Sequence, residues 1–464
     1  MSLWIASQTE LAEIESRRVE ILAKAYSEFY ENKTRIVIAF RHPSTTDPYV
    51  LSHLLWKDLP QAARQMGLSL GKTHSHFIYD RGIPLWAGSY LSWVFSRLGG
   101  VPIQRGKLDL LALKTARELL LNGRFPLAAA PEGGNNGHNE IVSPLEPGIA
   151  QLAFWCVEDL QKANREEKVV ILPVGIQYQY IEEPWKRLES LISALEIDSG
   201  IGQASPQELA SLKKAFQASE NDCKSKDAPA LCDRANLYGR LYRLAEHLLS
   251  LMEAYYQEFY GIAFEPEQST ARVADAAQES IEESSSLNAE YAANIALRDR
   301  LYRLMDKALQ VTERYFNVRP KGSVIDRCRK LEQAGWDRIF REDTAKLSSV
   351  ELGLANRVAE EANLRLWHMR LVESFVAVTG CYVKEKPTAD RFAETTMLLR
   401  DMVIKIKGEP TTQSKLGQQK AIVTIGTPID VSSRFTDYKQ KRRQAIAQLT
   451  QDLQQQMESL IITA

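Results

Sequence analysis

The strongest constraint on the fold is the alternation of strand-like and helix-like patterns over the first 180 residues. Short β-branched and apolar runs, typical of buried strands, occur at Thr34–Phe40, His76–Tyr79, Val101–Gln104, Phe125–Ala130 and Val169–Ile176. Segments with helical spacing precede or follow them, at about Ser7–Tyr30, Val50–Leu55, Trp86–Leu98, Leu108–Asn122 and Pro147–Asn164. Strands that alternate with helices predict an α/β fold, with a mostly parallel sheet flanked by helices.

The pattern changes to an almost purely helical one between about Tyr180 and Gly408. Helical spacing is found at Trp185–Leu195, Pro206–Gln217, Ala235–Tyr260, Leu297–Phe316 and Leu352–Val378. A last strand, Ala421–Ile425, and a last helix, Tyr438–Ile461, follow. Because this strand needs a partner, we predict that it joins the first sheet. The predicted domains are therefore an α/β domain of residues 1–181 and 411–464, and a mostly α-helical insertion of residues 182–410.

The composition excludes several classes of protein. The 58 basic and 59 acidic residues give a net charge of −1, whereas a dedicated nucleic-acid binder is usually basic. The five cysteines, at 156, 223, 232, 328 and 381, have a spacing that suits neither a zinc site nor a disulfide framework. No apolar run approaches the roughly 18 residues of a spanning helix. We expect a cytoplasmic protein with reduced thiols, and peripheral membrane contact remains open.

The sharpest chemical signal is the segment Arg41–Asp47, which follows the Thr34–Phe40 strand directly. A histidine at the carboxyl end of a strand lies where α/β folds commonly bind ligands. If the segment turns, Asp47 can reach the ring of His42, and such a pair suits a general base. The alternative is that His42 bonds locally while Asp47 caps the next helix.

Three further segments follow in order, each at the end of a predicted strand or within one: Gly100–Arg105, Ala130–Gly134 and Ile171–Gly175. Together with His42 and Asp47 they resemble the four motif blocks of the glycerolipid acyltransferase family, which includes glycerol-3-phosphate and 1-acylglycerol-3-phosphate acyltransferases. The resemblance covers about residues 30–180, and Val423–Asp430 is similar to a late strand and turn of that family.

The resemblance implies a reaction and roles for individual residues. A fatty acyl group would pass from an acyl thioester, of coenzyme A or acyl carrier protein, to a hydroxyl of a glycerol-phosphate-type acceptor in phospholipid biosynthesis. His42 would be the general base and Asp47 its orienting carboxylate. Arg105 would contact the acceptor's phosphate, and Glu132, Gly133 and Gly134 would help to bind the acceptor. The thioester is a co-substrate, and no cofactor or metal is implied.

One departure from the family pattern leaves the acceptor open. Many members have Thr-Arg-Ser after Pro-Glu-Gly, whereas this chain has Gly134, Asn135 and Asn136. The missing arginine removes one expected phosphate contact. An acyltransferase for another lipid or amine acceptor, and a non-catalytic lipid-binding protein with the same fold, therefore remain alternatives.

Other motifs have simpler interpretations. Gly67–Thr73 resembles a phosphate-binding loop, but its glycines are one residue too close and a helical segment precedes it. His74 and His76 lack a third ligand nearby for a metal. The aromatic face around Trp86, Tyr90 and Trp93 suits core packing, with an acyl-chain pocket or a membrane-facing surface as alternatives.

Overall fold

The computed structural model of this chain describes residues 10–83, 88, 90–104, 109–201, 228–264, 285–341, 343–376, 378, 380–409 and 416–462. The chain divides into two compact units. One consists of Met1–Glu182 and Gly417–Ala464, and the other is Glu183–Leu416.

The first unit is built on a single sheet of eight strands within the described residues. The strands are β1 (Leu11–Arg17), β2 (Thr34–Phe40), β3 (His76–Asp80), β4 (Gly100–Ile103), β5 (Leu127–Ala129), β6 (Lys168–Tyr180), β7 (Gln419–Ile425) and β8 (Ile429–Asp430). Their order is β1-β7-β6-β2-β5-β3-β4, and β8 pairs with β6. All pairs are parallel except those that β6 makes with β7 and β8. The predicted mostly parallel sheet and the return of the last strand to it are confirmed.

Helices cover both faces of this sheet. They are α1 (Val19–Tyr30), α2 (Asp47–His53), α3 (Leu59–Gln65), α4 (Tyr90–Arg97), α5 (Leu110–Asn122), α6 (Gly148–Lys162), α14 (Phe435–Gln440) and α15 (Arg442–Ser459). Strand β2 turns Ile36 and Ile38 toward a core shared with α1, α2 and α3. It turns Val37 and Ala39 toward a second core shared with α5, α6 and α15. Burial on both faces explains why β2 is apolar at consecutive positions rather than at every second one.

The amino-terminal prediction is wrong in its first half. A helix was expected from about Ser7, but Leu11–Arg17 is a strand that pairs in parallel with β7. Arg18, in the left-handed region at φ 61°, separates this strand from α1. Glutamates at 13 and 15 favour a helix locally, yet both lie within 4 Å of the Lys420 ammonium on the neighbouring strand. Pairing with β7 therefore overrides the local helical preference, and Ser7 itself lies outside the described residues.

The second unit is helical throughout its described part. Its helices are α7 (Trp185–Asp198), α8 (Ala228–Tyr260), α9 (Ser285–Phe316), α10 (Val324–Ile339), α11 (Ser349–Glu373), α12 (Tyr382–Glu385) and α13 (Ala389–Lys407). The predicted helix Pro206–Gln217 lies outside the described residues. Helix spacing did not predict α10, which begins with a capping box between Ser323 and Asp326, nor α13. The predicted last helix, Tyr438–Ile461, is divided into α14 and α15 at Lys441.

Neither a membrane span nor a reactive thiol is evident in the part of the chain that is described. None of its helices combines the length and the apolar character needed to cross a membrane. Cys156, Cys328 and Cys381 are free and buried. Burial raises the pKa of the Cys156 and Cys328 thiols to about 12 each, so both are protonated at neutral pH and are poor nucleophiles.

Candidate active site

The candidate site begins where β2 ends, in the turn that leads to α2. Arg41 still donates its amide to the Val174 carbonyl of β6, 3.0 Å away, and the chain then leaves the sheet. Asp47 begins α2, and its carboxylate turns back toward the strand. The His42 Nδ1 and Asp47 Oδ2 atoms are 2.7 Å apart, so the contact that the spacing permits is formed.

The two partners differ in their exposure to solvent. The Asp47 side chain is completely buried, whereas 26% of the His42 side chain is exposed. Because Nδ1 faces the carboxylate, Nε2 is the ring nitrogen available to another group. Burial raises the pKa of Asp47, and the hydrogen bonds from His42, Tyr178 and Ser44 act in the opposite direction. The pair thus has an anchored, shielded end and an accessible end, as a general base requires.

Tyr178 adds a third member to this pair. It lies on the part of β6 that continues beyond the end of β2, since Phe40 pairs with Val174. Its hydroxyl donates to Asp47 Oδ1 at 2.5 Å. Burial and the neighbouring Asp47 carboxylate hold the pKa of Tyr178 well above its usual value, so the phenol keeps its proton and acts as a donor.

The loop after β5 reaches the same edge of the sheet, because β2 and β5 are parallel neighbours. Glu132 accepts the His42 amide on Oε1 at 3.0 Å. Its Oε2 accepts from the Asn136 side-chain amide at 2.8 Å and from the Ser143 amide at 3.0 Å. The Glu132 side chain is completely buried, so both carboxylate oxygens bind within the chain. In this geometry Glu132 stabilises the backbone of His42, and its contact with the acceptor stays a prediction.

Arg41 is a buried residue that stabilises the loop after β5, and the motif comparison did not single it out. Its guanidinium donates to the carbonyls of His138, Asn139 and Ile141, and its Nε lies 3.6 Å from Glu132 Oε1. The sequence did offer a signal for this role of Arg41, since it is a charged residue at the end of an apolar strand. An arginine that is buried at such a place requires several hydrogen-bond acceptors.

The glycines of this loop have different conformations and surroundings. Gly133 has a φ of 71°, a region that favours glycine, and its amide closes a turn onto the Ala130 carbonyl. Gly134 is half-buried beside it. His138 of the same loop is buried, and burial lowers the pKa of its ring. Its Nδ1 lies 2.7 Å from the Asn136 carbonyl, which indicates a structural role in the loop.

Other residues singled out from the sequence lie elsewhere or outside the described part. Arg105 and Trp86 fall outside the described residues. Tyr90 and Trp93 are exposed on α4. The His74 ring lies within hydrogen-bonding distance of the Leu98 carbonyl, and the His76 ring within that distance of the Gly99 carbonyl. No cluster of three metal-ligating side chains occurs among the described residues.

A cavity of about 720 Å³ lies between α5 and α6, lined among others by Leu113, Arg117 and Trp155. None of the predicted site residues lines it. The candidate site is identified instead by the contact between His42 and Asp47.

The first unit is an α/β domain with a histidine–aspartate pair at the carboxyl edge of its sheet. A comparison with protein families agrees with that class: the family described as Acyltransferase matches residues 18–177. The match covers 160 of the 464 residues, so it is this segment that is similar to the acyltransferase family. No curated protein and no solved structure matches the chain.

Proposed function

We propose that this protein transfers a fatty acyl group from an acyl thioester to a hydroxyl of glycerol 3-phosphate or a lysophosphatidic-acid-type acceptor, a step of phospholipid biosynthesis. The donor would be acyl-CoA or an acylated carrier protein, without a further cofactor. The observation that supports this proposal best is the 2.7 Å contact between a partly exposed His42 ring and a fully buried Asp47. The match of residues 18–177 to the acyltransferase family gives the reaction class.

In the proposed mechanism His42 acts as the general base. Nδ1–H donates to Asp47, which fixes the tautomer and leaves Nε2 free to accept a proton. Nε2 takes the proton of the acceptor hydroxyl as its oxygen attacks the thioester carbonyl. The tetrahedral intermediate then expels the thiolate, which takes the proton from the imidazolium to give the free thiol. Because the thioester is already activated, no covalent acyl-enzyme is needed, and buried Cys156 is not suited to form one.

The test is acyl transfer by the purified chain to a panel of acceptors from acyl-CoA and from acylated carrier protein. We expect His42→Ala to lower kcat by about 10²–10⁴-fold, the usual contribution of a general base. His53→Ala is a matched control. His53 lies in α2, its side chain is 21% exposed, and its ring lies 3.3 Å from Asp58.

Two outcomes would contradict the proposal. One is equal activity of the wild type and His42→Ala, and the other is the absence of transfer with every donor and acceptor. An equal loss in His53→Ala would indicate that damage to α2, rather than removal of a base, lowers the activity.

A second candidate function is acyl transfer to an unphosphorylated lipid or amine. One observation favours it: residues 130–146 contain neither lysine nor arginine, so the loop beside His42 offers no cation for a phosphate. A competition between glycerol 3-phosphate and unphosphorylated acceptors separates the two candidates. Preference for the phosphorylated acceptor, lost in Arg105→Ala, supports the first. Preference for the unphosphorylated acceptors supports the second.

A further inference from the structure

The contacts of Asp47 involve a residue that the motif blocks do not include. The two carboxylate oxygens accept hydrogen bonds from different segments, one from the turn after β2 and the other from β6. Oδ2 receives His42 Nδ1 at 2.7 Å and the Ser44 amide at 3.1 Å, and Oδ1 receives the Tyr178 hydroxyl at 2.5 Å. Since the side chain is fully buried, the lost hydration of Asp47 is replaced by these donors.

We propose that Tyr178 is a positioning residue for the acyl transfer, which keeps Asp47 ionised and oriented so that Asp47 can hold His42 as the base. This proposal rests on the proposed function, because it assigns a role to Tyr178 only if His42 removes the acceptor's proton. Tyr178 would act through Asp47, without contact with either substrate.

The backbone of Tyr178 is fixed by the sheet. Tyr178 pairs with Ala421 of β7, and its amide donates to the Asn139 side-chain oxygen at 2.7 Å. Arg41 holds the Asn139 carbonyl in turn. A side chain on a paired strand has a more restricted position than one on a free loop. The phenol therefore meets Asp47 at a fixed distance.

The Tyr178 hydrogen bond matters most when the imidazole is neutral. In the protonated pair the His42 imidazolium balances the Asp47 carboxylate, whereas in the active pair the carboxylate is an uncompensated buried charge. Loss of the Tyr178 donor therefore destabilises the active form more than the protonated one, and the apparent pKa of the pair rises. Three sets of charged or titratable groups lie near Asp47 on the segments around it. They are His42 in the same turn, Tyr178 on β6, and the Arg41–Glu132 pair behind the His42 backbone.

The decisive measurement is the pH dependence of kcat/KM for Tyr178→Phe, which removes only the hydroxyl. We expect the acid limb to move up by about one pH unit. At a pH below both limbs this shift equals about a tenfold loss of activity. KM for the acyl donor should change little, because Tyr178 does not contact it. Tyr26→Phe is the matched control, since Tyr26, like Tyr178, is buried and its hydroxyl donates to the His74 carbonyl at 2.8 Å.

Replacement of Tyr178 alone by 3,5-difluorotyrosine gives an opposite variant that keeps the hydrogen bond. Fluorination makes the phenol a stronger donor, so the acid limb should move to lower pH. This second variant also decides the question if Tyr178→Phe folds poorly, because the fluorinated ring is nearly the same size.

The outcomes distinguish this proposal from the function on which it rests. If His42→Ala is inactive while both Tyr178 variants keep the wild-type pH profile, the positioning role is overturned and the proposed base stands. If His42→Ala is as active as the wild type, the proposed function fails and the role of Tyr178 fails with it. Opposite shifts in the two variants, with no shift in Tyr26→Phe, support the proposal.

Discussion

Two histidines of this chain show how burial and partners decide what an imidazole does. The His42 ring is partly exposed and faces a carboxylate, which suits the uptake of a proton. His368 of α11 is buried between the hydroxyls of Tyr256 and Tyr260, at 2.7 and 3.0 Å from its two ring nitrogens. Burial lowers the pKa of His368 to about 4, so this ring is neutral in the folded state at neutral pH.

The lowered pKa of His368 predicts a pH-dependent stability of the second unit. The unfolded chain takes up a proton near pH 6.5, whereas the folded one does so only near pH 4. Its contribution is therefore complete above pH 6.5 and is lost as the pH falls toward 4. Between pH 7 and pH 5 we expect this residue alone to lower the free energy of unfolding by about 2 kcal/mol. Urea unfolding of the wild type and His368→Gln at both pH values measures it, and equal pH dependence of the two proteins would contradict the prediction.

At the candidate site, sequence patterns predicted the contact between His42 and Asp47 but not the residues that support it. His42 and Asp47 are close in the chain, so their spacing alone permitted the contact. Tyr178 and Asn139 meet the pair only through the pairing of β6 with its neighbours. Strand periodicity offered a signal for Tyr178, because Val174, Ile176 and Tyr178 share one buried face, but the predicted strand ended at Ile176.

At the scale of elements, strand β2 in the sheet interior agrees with its prediction, whereas strand β1 at one edge was not predicted. Strand β2 extends over Thr34–Phe40, as predicted, because an apolar β-branched run buried on both faces carries its own signal. Strand β1 carries little such signal, and its partner Gln419–Ile425 lies about 400 residues away in the chain. Single-sequence periodicity cannot detect a partner at that distance.

Helix α5 offers a test of a single cap. Asp109 accepts the Ala112 amide on Oδ1 at 3.0 Å, and the Gln104 amide on Oδ2 at 3.1 Å. We expect Asp109→Ala to lower the free energy of unfolding by about 1–2 kcal/mol, because a lost N-cap typically costs that much. Asp109→Asn retains a cap acceptor and should cost clearly less. Urea unfolding midpoints compare the variants, and an equal midpoint for Asp109→Ala and the wild type would exclude the cap as a stabilising contact.

At the scale of the whole molecule, the near-neutral net charge and the length of the chain do not predict how the chain divides into units. The first unit takes its residues from both ends of the sequence. Strands β6 and β7 are antiparallel neighbours up to Tyr180 and Gln419, and the Ile181 amide donates to the Gln418 carbonyl at 3.0 Å. The chain therefore leaves the sheet and returns to it at the same point, which is the geometry of a hairpin.

This geometry predicts that the first unit can fold without the second. We expect a chain in which a short Gly-Ser linker replaces residues 183–416 to fold, because the linker closes a β-hairpin that is already paired. Circular dichroism and cooperative urea unfolding measure the result. As a control, truncation after residue 416 removes β7, together with Leu449, Leu453 and Met457, which lie in the core against the sheet. That chain should be insoluble or unfolded. If the linked chain behaves like the truncated one, the first unit depends on the second for its stability.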